Sequence, residues 1–428
     1  MIEVELTPAD RELLLGLLRV PTVGLLEEPE GTPGLWEAQS AYADAAAELG
    51  FTTVLHGPPK PEVLDRPGVP EPVRRAAAEL PGFLDRQPSL VLRLGPPLPR
   101  ERTVMFNVHL DTVAGWEPPR FEDGRFHGRG AIDAKGPAVG LLTGIRAALA
   151  AEPALGDEVG VLIQAVAGEE GGAMGTFGTR PLVEDGHVGR LNVFCEPTGL
   201  RWLPRSTASM TACVRVDGRD AIDDEPDAGH NATVLLGFLA QHLAAELPAA
   251  ASDGRVCVAG LHTGDLHNRV YGSGRLLLNI SYGSPEGGRR MERALDEALA
   301  SGLAAFARTF APHRDQARTA ADAEAITTLE WLKRGLPALA GSDPWAEELL
   351  ERRAGLVPWP AGEPAFTCDA IWMQDVPGAF TVVYGPGDLG ANNAHAAGEH
   401  ADAADLEHFA AGVARLLTSF TRSRSEHP

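Results

Sequence analysis

The chain has 428 residues, of which 44% are hydrophobic and 22% are charged. This length suits two domains better than one, and the composition is that of a soluble globular protein. The net charge of −22 argues against nucleic acid or an anionic membrane as a partner, because both require a basic surface.

The cysteines and the amino terminus indicate a cytoplasmic protein. Cys195, Cys213, Cys257 and Cys368 are widely spaced and form no Cys-x-x-Cys pair, so neither a disulfide framework nor a thiolate zinc site is expected. The first residues lack a basic segment followed by an apolar one, and no apolar run reaches about 18 residues. We therefore expect neither a signal peptide nor a membrane span.

Strands alternate with helices in the first part of the chain. Thr7 is the expected N-cap of the first helix, with Pro8 at its first position. Residues 57–89 are rich in proline and charge, which predicts a surface insertion with a short helix near 73–80. The predicted helices cover 8–19, 34–49 and 138–151, and the predicted strands cover 51–55, 89–94, 103–108, 158–166 and 192–194. This alternation favours an open, mostly parallel α/β sheet.

The pattern changes near Ser206. Strands are predicted at 210–216, 255–260, 275–281 and 325–331, and helices at 231–247 and 289–310. The order β-α-β-β-α-β predicts an inserted ferredoxin-like α+β domain over 207–331. The first domain, residues 1–206 and 332–428, resumes with a helix at 345–353, a strand at 379–384, a loop at 385–399 and a helix at 402–420.

Residue types that bind metals follow the predicted strands. His109 and Asp111 lie two positions apart at the end of strand 103–108, so they point the same way in an extended chain. A histidine beside a carboxylate suits a metal ligand with its orienting partner. Asp133 follows in a glycine-rich turn that opens onto a helix. Alone, a His-x-Asp triplet is most often an ordinary loop segment.

Three further motifs follow in order. They are Gly168-Glu169-Glu170-Gly171-Gly172, Cys195-Glu196-Pro197-Thr198 and Asn393-Ala394-His395-Ala396-Ala397-Gly398-Glu399. Alone, Glu169 and Glu170 would be a solvated loop pair and His395 a loop histidine. Together, the ordered set resembles the co-catalytic zinc metallopeptidase family of the aminoacylases, carboxypeptidase G, acetylornithine deacetylase and succinyl-diaminopimelate desuccinylase. The resemblance covers nearly the whole chain.

The resemblance implies two divalent metal ions, with zinc first and cobalt or manganese as alternatives. His109 and Glu196 would bind one metal, and Glu170 and His395 the other. Asp133 would bridge the two. In this family the bridging aspartate often precedes a cis peptide bond, which is rare for a non-proline residue. A cis Asp133–Ala134 bond is therefore predicted.

The resemblance also assigns roles beyond the metal ligands. Asp111 would orient His109, and Glu169 would act as the general base that activates water and then protonates the leaving amine. Asp369 matches a family position that supports the wall of the active site. The first domain would be the catalytic domain, and the inserted domain would be a lid that can also form a homodimer.

The inserted domain departs from the family pattern. Ile222 stands where the family has a histidine that helps to stabilise the tetrahedral oxyanion, and loss of one such donor typically costs about 10²–10³ in turnover. His230 and His267 are the candidates to replace it. Asn268 matches the family's substrate-contacting asparagine, but Ser281 stands where an arginine is usual, which weakens the case for recognition of a free α-carboxylate.

An acidic segment surrounds Ile222, formed by Asp220, Asp223, Asp224, Glu225 and Asp227. It is either a solvated loop or a site for a cationic substrate. Three functions stay open: hydrolysis of an amide or peptide bond in a small N-acyl amino acid or dipeptide-like molecule, non-hydrolytic acyl chemistry such as amide formation or cyclisation, and metal binding without turnover. Retention of Glu169 favours chemistry, because a metal scaffold needs no base.

Overall fold

The structure is a computed structural model that describes residues 4–426. The outermost limits of the predicted first domain, residues 1 and 428, and the first three residues of the amino terminus lie outside this range. The described chain separates into a main unit of residues 4–206 and 339–426 and an inserted unit of residues 207–338.

The main elements are numbered here in chain order. The α-helices are α1 (Pro8–Arg19), α2 (Leu35–Ala47), α3 (Glu71–Glu79), α4 (Lys135–Ala151), α5 (Thr179–Glu184), α6 (Ala232–Glu246), α7 (Pro285–Phe310), α8 (Ala317–Asp322), α9 (Pro344–Glu348) and α10 (Ala403–Glu426). The strands are β1 (Phe51–Gly57), β2 (Ser89–Leu94), β3 (Thr103–His109), β4 (Arg120–Glu122), β5 (Arg125–His127), β6 (Gly160–Val166), β7 (Leu191–Phe194), β8 (Arg201–Trp202), β9 (Arg205–Ser206), β10 (Ala208–Asp217), β11 (Ala221–Ile222), β12 (Arg255–His262), β13 (Arg269–Val270), β14 (Ser273–Tyr282), β15 (Thr327–Lys333), β16 (Leu339–Ala340), β17 (Val357–Pro358), β18 (Phe380–Val383) and β19 (His400–Asp402). Short 3₁₀ turns occupy Pro61–Asp65, Leu84–Arg86, Arg100–Arg102, Pro226–Ala228, Leu247–Ala250, Arg314–Gln316 and Asp369–Met373, and a π turn occupies Leu349–Arg353.

The main unit contains a six-stranded sheet in the order β1-β2-β6-β3-β7-β18. The pairs β6–β3, β3–β7 and β7–β18 are parallel, whereas β1–β2 and β2–β6 are antiparallel. Every residue of β3, β7 and β18 is buried, as expected of parallel strands covered on both faces. The predicted open, mostly parallel sheet is confirmed.

Helix α1 begins with a capping box and packs through buried residues. The side chain of Thr7 accepts a hydrogen bond from the amide of Asp10, and Asp10 accepts one from the amide of Thr7, so the two form a capping box. Asp10 is buried and forms an ion pair with Arg146 of α4 at 2.6 Å. Leu14 and Leu17 are buried on the inner face of the helix.

The proline-rich segment is not simply a surface insertion. Val63, Val69, Val73 and Phe83 are buried in one cluster with Leu25, Ala173 and Phe177. The expectation of a surface insertion is therefore wrong for these side chains, which pack beneath the loop that follows β6. The predicted short helix is present as α3.

The inserted unit is an antiparallel sheet in the order β12-β14-β10-β15. Helices α6 and α7 pack against each other and against this sheet. Numbered within the unit, the strand order is 2-3-1-4, and the predicted ferredoxin-like topology is confirmed. The unit continues to Ala338, seven residues past the predicted end at Trp331. One reason is that the hydroxyl of Tyr282 donates a hydrogen bond to the carbonyl of Leu336 at 2.7 Å.

Among the described residues, one helical stretch, Ala232–Ala250, is long and apolar enough to cross a membrane by length and composition. It contains α6. Leu235, Leu236, Leu239 and Leu243 of this helix are buried. Because these leucines pack it within the inserted unit, length and composition alone do not assign the helix to a membrane.

Candidate metal centre

Three of the five predicted ligands come from the carboxyl ends of neighbouring strands. His109 is the last residue of β3, Glu170 lies just after β6 and Glu196 just after β7. Carboxyl ends of parallel strands meet at one edge of a sheet, where ligands of open α/β folds bind. Asp133 comes from the turn before α4 and His395 from the loop after β18.

The structure brings these five side chains together. The carboxylate of Asp133 lies between the two histidines, with Oδ1 at 2.8 Å from Nε2 of His109 and Oδ2 at 3.0 Å from Nε2 of His395. Nε2 of His395 is also 2.8 Å from Oε1 of Glu170, and Nε2 of His109 is 3.7 Å from Oε1 of Glu196. Asp133 therefore contacts both histidines, one through each carboxylate oxygen.

Ligand atoms of His109, Asp133 and Glu170 all lie within 4.8 Å of one another, close enough for one ion. The Asp133–Ala134 peptide bond is cis, and this part of the prediction is confirmed.

Asp111 contacts the site in a different way from the prediction. Nδ1 of His109 is bonded to the main-chain carbonyl of Asp111 at 2.9 Å, whereas its carboxylate oxygen Oδ1 is 3.7 Å away. A proton on Nδ1 would leave Nε2 free to bind a metal. The other carboxylate oxygen of Asp111 accepts a hydrogen bond from the amide of Glu170 at 3.0 Å. Asp111 therefore contacts two predicted ligands, His109 through its main-chain carbonyl and Glu170 through its carboxylate.

Burial, followed by the crowding of carboxylates, shifts the pKa values of the acidic groups in the site. Burial raises the pKa of Glu170 to about 7 and the pKa of Glu196 to about 8, and the charge of Asp133 adds to both. Burial, followed by the charges of Glu170 and Asp369, raises the pKa of Glu169 well above its ordinary value. Burial acts the same way on Asp133, but hydrogen bonds from the two histidines hold its pKa below the ordinary value.

These residues fit divalent metal by charge and by donor type. His109 and His395 lower the pKa values of carboxylates in this group. The electrostatically interacting carboxylates are Asp111, Asp133, Glu169, Glu170, Glu196 and Asp369. Buried carboxylates without a counter-charge are costly. Divalent cations would supply that charge, and imidazole nitrogen with carboxylate oxygen is a donor set that zinc accepts.

A buried polar network behind the site escaped sequence reasoning. The side-chain nitrogen Nδ2 of Asn107 donates to Oε1 of Gln164 at 2.9 Å and to the hydroxyl of Thr179 at 3.2 Å. That hydroxyl donates to Oδ2 of Asp369 at 2.5 Å. The signal available in the sequence was the pair of amide side chains, Asn107 and Gln164, inside strands that are otherwise apolar.

The predicted substrate contacts lie in the inserted unit. Ile222 is 57% exposed and pairs with Arg269 across the short sheet of β11 and β13. Asn268, just before β13, is exposed. His230 bonds through Nδ1 to the amide of Arg219 and through Nε2 to Asp322, so both of its ring nitrogens are already engaged.

The acidic segment is partly neutralised. Asp220 pairs with Arg269 at 2.6 Å, and Asp227 pairs with Arg314 at 3.3 Å. These pairs favour the solvated-loop interpretation over a site for a cationic substrate.

Residues 105–419 match the model of the peptidase family M20/M25/M40. The chain belongs to this family. The matched range contains all five predicted ligands and Glu169, and the resemblance inferred from the motifs is confirmed. The M20 family consists of metal-dependent hydrolases that act on peptides or amides.

Individual relatives agree with the family assignment. The LysW-lysine/LysW-ornithine hydrolase of Aeropyrum pernix is 32% identical over 217 residues, which are 50% of this chain and 57% of that protein. The fold is similar to that of an M20 metallo-carboxypeptidase of Sulfolobus solfataricus, with a TM-score of 0.68, 13% identity, and coverage of 97% of this chain and 100% of the other. It is also similar to human carnosine dipeptidase 1, with a TM-score of 0.64, 14% identity and 97% coverage of each chain. The identities of 13% and 14% to these two solved structures establish similarity of fold alone.

Proposed function

We propose that this M20 protein is a di-metal hydrolase that cleaves the amide or peptide bond of a small N-acyl amino acid or dipeptide-like molecule. The placement of Asp133 supports the proposal most strongly, because each of its oxygens faces a different histidine. The names of the relatives, a LysW-lysine/LysW-ornithine hydrolase, a carboxypeptidase and a dipeptidase, are consistent with this substrate class.

His109 and Glu196 would hold one metal ion, Glu170 and His395 the other, and Asp133 both. Zinc suits the nitrogen and oxygen donors, with cobalt or manganese as alternatives. Such a pair would polarise the substrate carbonyl and lower the pKa of water, so that hydroxide is available as the nucleophile at neutral pH.

Glu169 would move the proton. It would take one from the attacking water and pass it to the nitrogen of the leaving amine. The first transfer requires the carboxylate form of Glu169 and the second its protonated form. Asp111 would support the site by fixing the ring of His109 and the backbone of Glu170.

The substrate pocket would be atypical. Isoleucine has no hydrogen-bond donor, so Ile222 would not stabilise an oxyanion as the family histidine does. Ser281 accepts a hydrogen bond from the amide of Arg255 at 3.0 Å, and it offers no cation for a substrate carboxylate. Asn268 would contact the substrate. Because of Ile222, non-hydrolytic acyl chemistry is the second candidate function.

The remaining assignments belong to the same proposal. The main unit would be the catalytic domain, and the inserted unit a lid and dimerisation domain. The protein would act in the cytoplasm as a homodimer, without nucleic acid or membrane as a partner, in keeping with its net charge of −22.

One experiment separates the candidates. Metal content and hydrolysis of a panel of N-acyl amino acids and dipeptides would be measured for the wild type and for Glu169→Gln. We expect two metal ions per chain in both proteins, and hydrolysis reduced about 10²–10⁴-fold by the substitution. Two metals without hydrolysis of any substrate would favour non-hydrolytic chemistry or binding alone, and absence of metal binding would refute the proposal.

A further inference from the structure

A buried ion pair lies beside the metal centre without providing a predicted ligand. Nη1 of Arg129 is 2.5 Å from Oε2 of Glu399, and the two residues are only 6% and 1% exposed. They are 270 positions apart in the chain. The pairing of β5 with β19 brings them together, because His127 is opposite His400 in that pair.

The second oxygen of Glu399 binds the backbone at the proposed bridging residue. Oε1 accepts hydrogen bonds from the amide of Asp133 at 3.3 Å and from the amide of Ile132 at 3.1 Å. Glu399 therefore fixes the segment from which the Asp133 carboxylate projects.

Arg129 binds the other part of the centre. Its Nη2 donates to the carbonyl of Ala396, the residue after His395, at 3.2 Å. The amide of Gly128 donates to the carbonyl of Glu399 at 3.1 Å, which adds a second link between the two segments. The ion pair thus joins the Asp133 turn to the loop that carries His395.

We infer that Arg129 and Glu399 are positioning residues that set the spacing of Asp133 and His395 and thereby the affinity of the centre for metal. The inference rests on the proposed di-metal site. Partners that orient ligands from outside typically change metal affinity about 10–100-fold when they are substituted.

The main unit offers a matched ion pair for comparison. Asp10 is also buried, and its carboxylate binds Arg146 through two hydrogen bonds of 2.8 and 2.6 Å. This pair joins α1 to α4 and contacts none of the predicted ligands. If Arg129 and Glu399 only contributed to fold stability, the two pairs would behave alike.

The test compares zinc affinity in Glu399→Gln, Arg129→Lys and the control Asp10→Asn. Zinc affinity would be measured by competition with a chromophoric chelator, and thermal unfolding would be measured on the metal-free proteins. Glutamine keeps an acceptor for the two amides but loses the charge that faces Arg129. Lysine keeps the positive charge of Arg129 but has a single nitrogen in place of the guanidinium that binds both Glu399 and Ala396.

We expect zinc binding to weaken about 10–100-fold in the first two variants and to stay within about twofold of the wild type in Asp10→Asn, although all three lower the melting temperature. Unchanged zinc affinity in both Glu399→Gln and Arg129→Lys would overturn the inference alone. Wild-type protein that binds no zinc would overturn the proposed function as well. If Glu399→Gln does not fold, the zinc affinity of Arg129→Lys decides the question.

Discussion

Alanine at Gly175 should destabilise the protein more than alanine at Gly172. Both glycines lie in the loop after β6 that carries Glu169 and Glu170, and both have positive φ, +59° and +77°. An L-residue in this left-handed region costs about 1–2 kcal/mol, so both substitutions share that cost.

Only the substitution at Gly175 adds a steric cost. A Cβ at Gly175 would overlap the carboxyl group of Asp369, whereas a Cβ at Gly172 would meet no atom within 4 Å. Asp369 is 1% exposed and is held by the hydroxyl of Thr179, so it has little room to move away. Overpacking of this kind typically costs about 1–3 kcal/mol. The expected losses are therefore about 1–2 kcal/mol for Gly172→Ala and about 2–5 kcal/mol for Gly175→Ala.

Urea unfolding of the metal-free proteins would measure both losses, and hydrolysis assays would measure the effect on the loop. Gly175→Ala should also reduce turnover more than Gly172→Ala, because displacing the loop displaces Glu169 and Glu170. Equal losses of stability in the two variants would refute the reasoning, because they would show that the Asp369 side chain moves away from the new Cβ without loss of stability.

Two further predictions concern the charged interior. Burial raises the folded-state pKa of Glu170 to about 7 and of Glu196 to about 8, so the native metal-free protein keeps protons that the unfolded chain has lost. The free energy of unfolding of the metal-free protein should therefore fall as pH rises from about 5 to about 8. Urea titrations in the presence of zinc should show the opposite trend. A stability that rises over this range would contradict the assignment. Lys135→Met should cost about 2–3 kcal/mol, because Nζ of Lys135 donates to two carbonyls at the end of α1 at 3.0 and 2.9 Å and their partners would be lost. In urea unfolding, the control Lys60→Met at an exposed site should change the free energy of unfolding by no more than about 0.5 kcal/mol. Equal losses of stability in the two variants would refute the explanation.

Local chemistry allowed much of the centre to be predicted. Few side chain types bind divalent metals, and those at the ends of parallel strands meet at one edge of the sheet. His109, Glu170 and Glu196 could therefore be selected from their positions after apolar strands, and Asp133 and His395 from the motifs. The fold class followed from the alternation of strands and helices, which depends on residues close together in the chain.

Contacts between distant segments decided the rest. The partnership of Arg129 with Glu399 joins residues 270 positions apart, and no local pattern encodes which buried charge meets which. Local pattern also does not encode that Asp111 binds His109 through its main-chain carbonyl, or that Val63 and its neighbours are buried. The sequence by itself determined which residue types converge on the centre, whereas packing of the folded chain determined which atoms hold them there, because hydrogen-bond geometry is set only when the segments are in place.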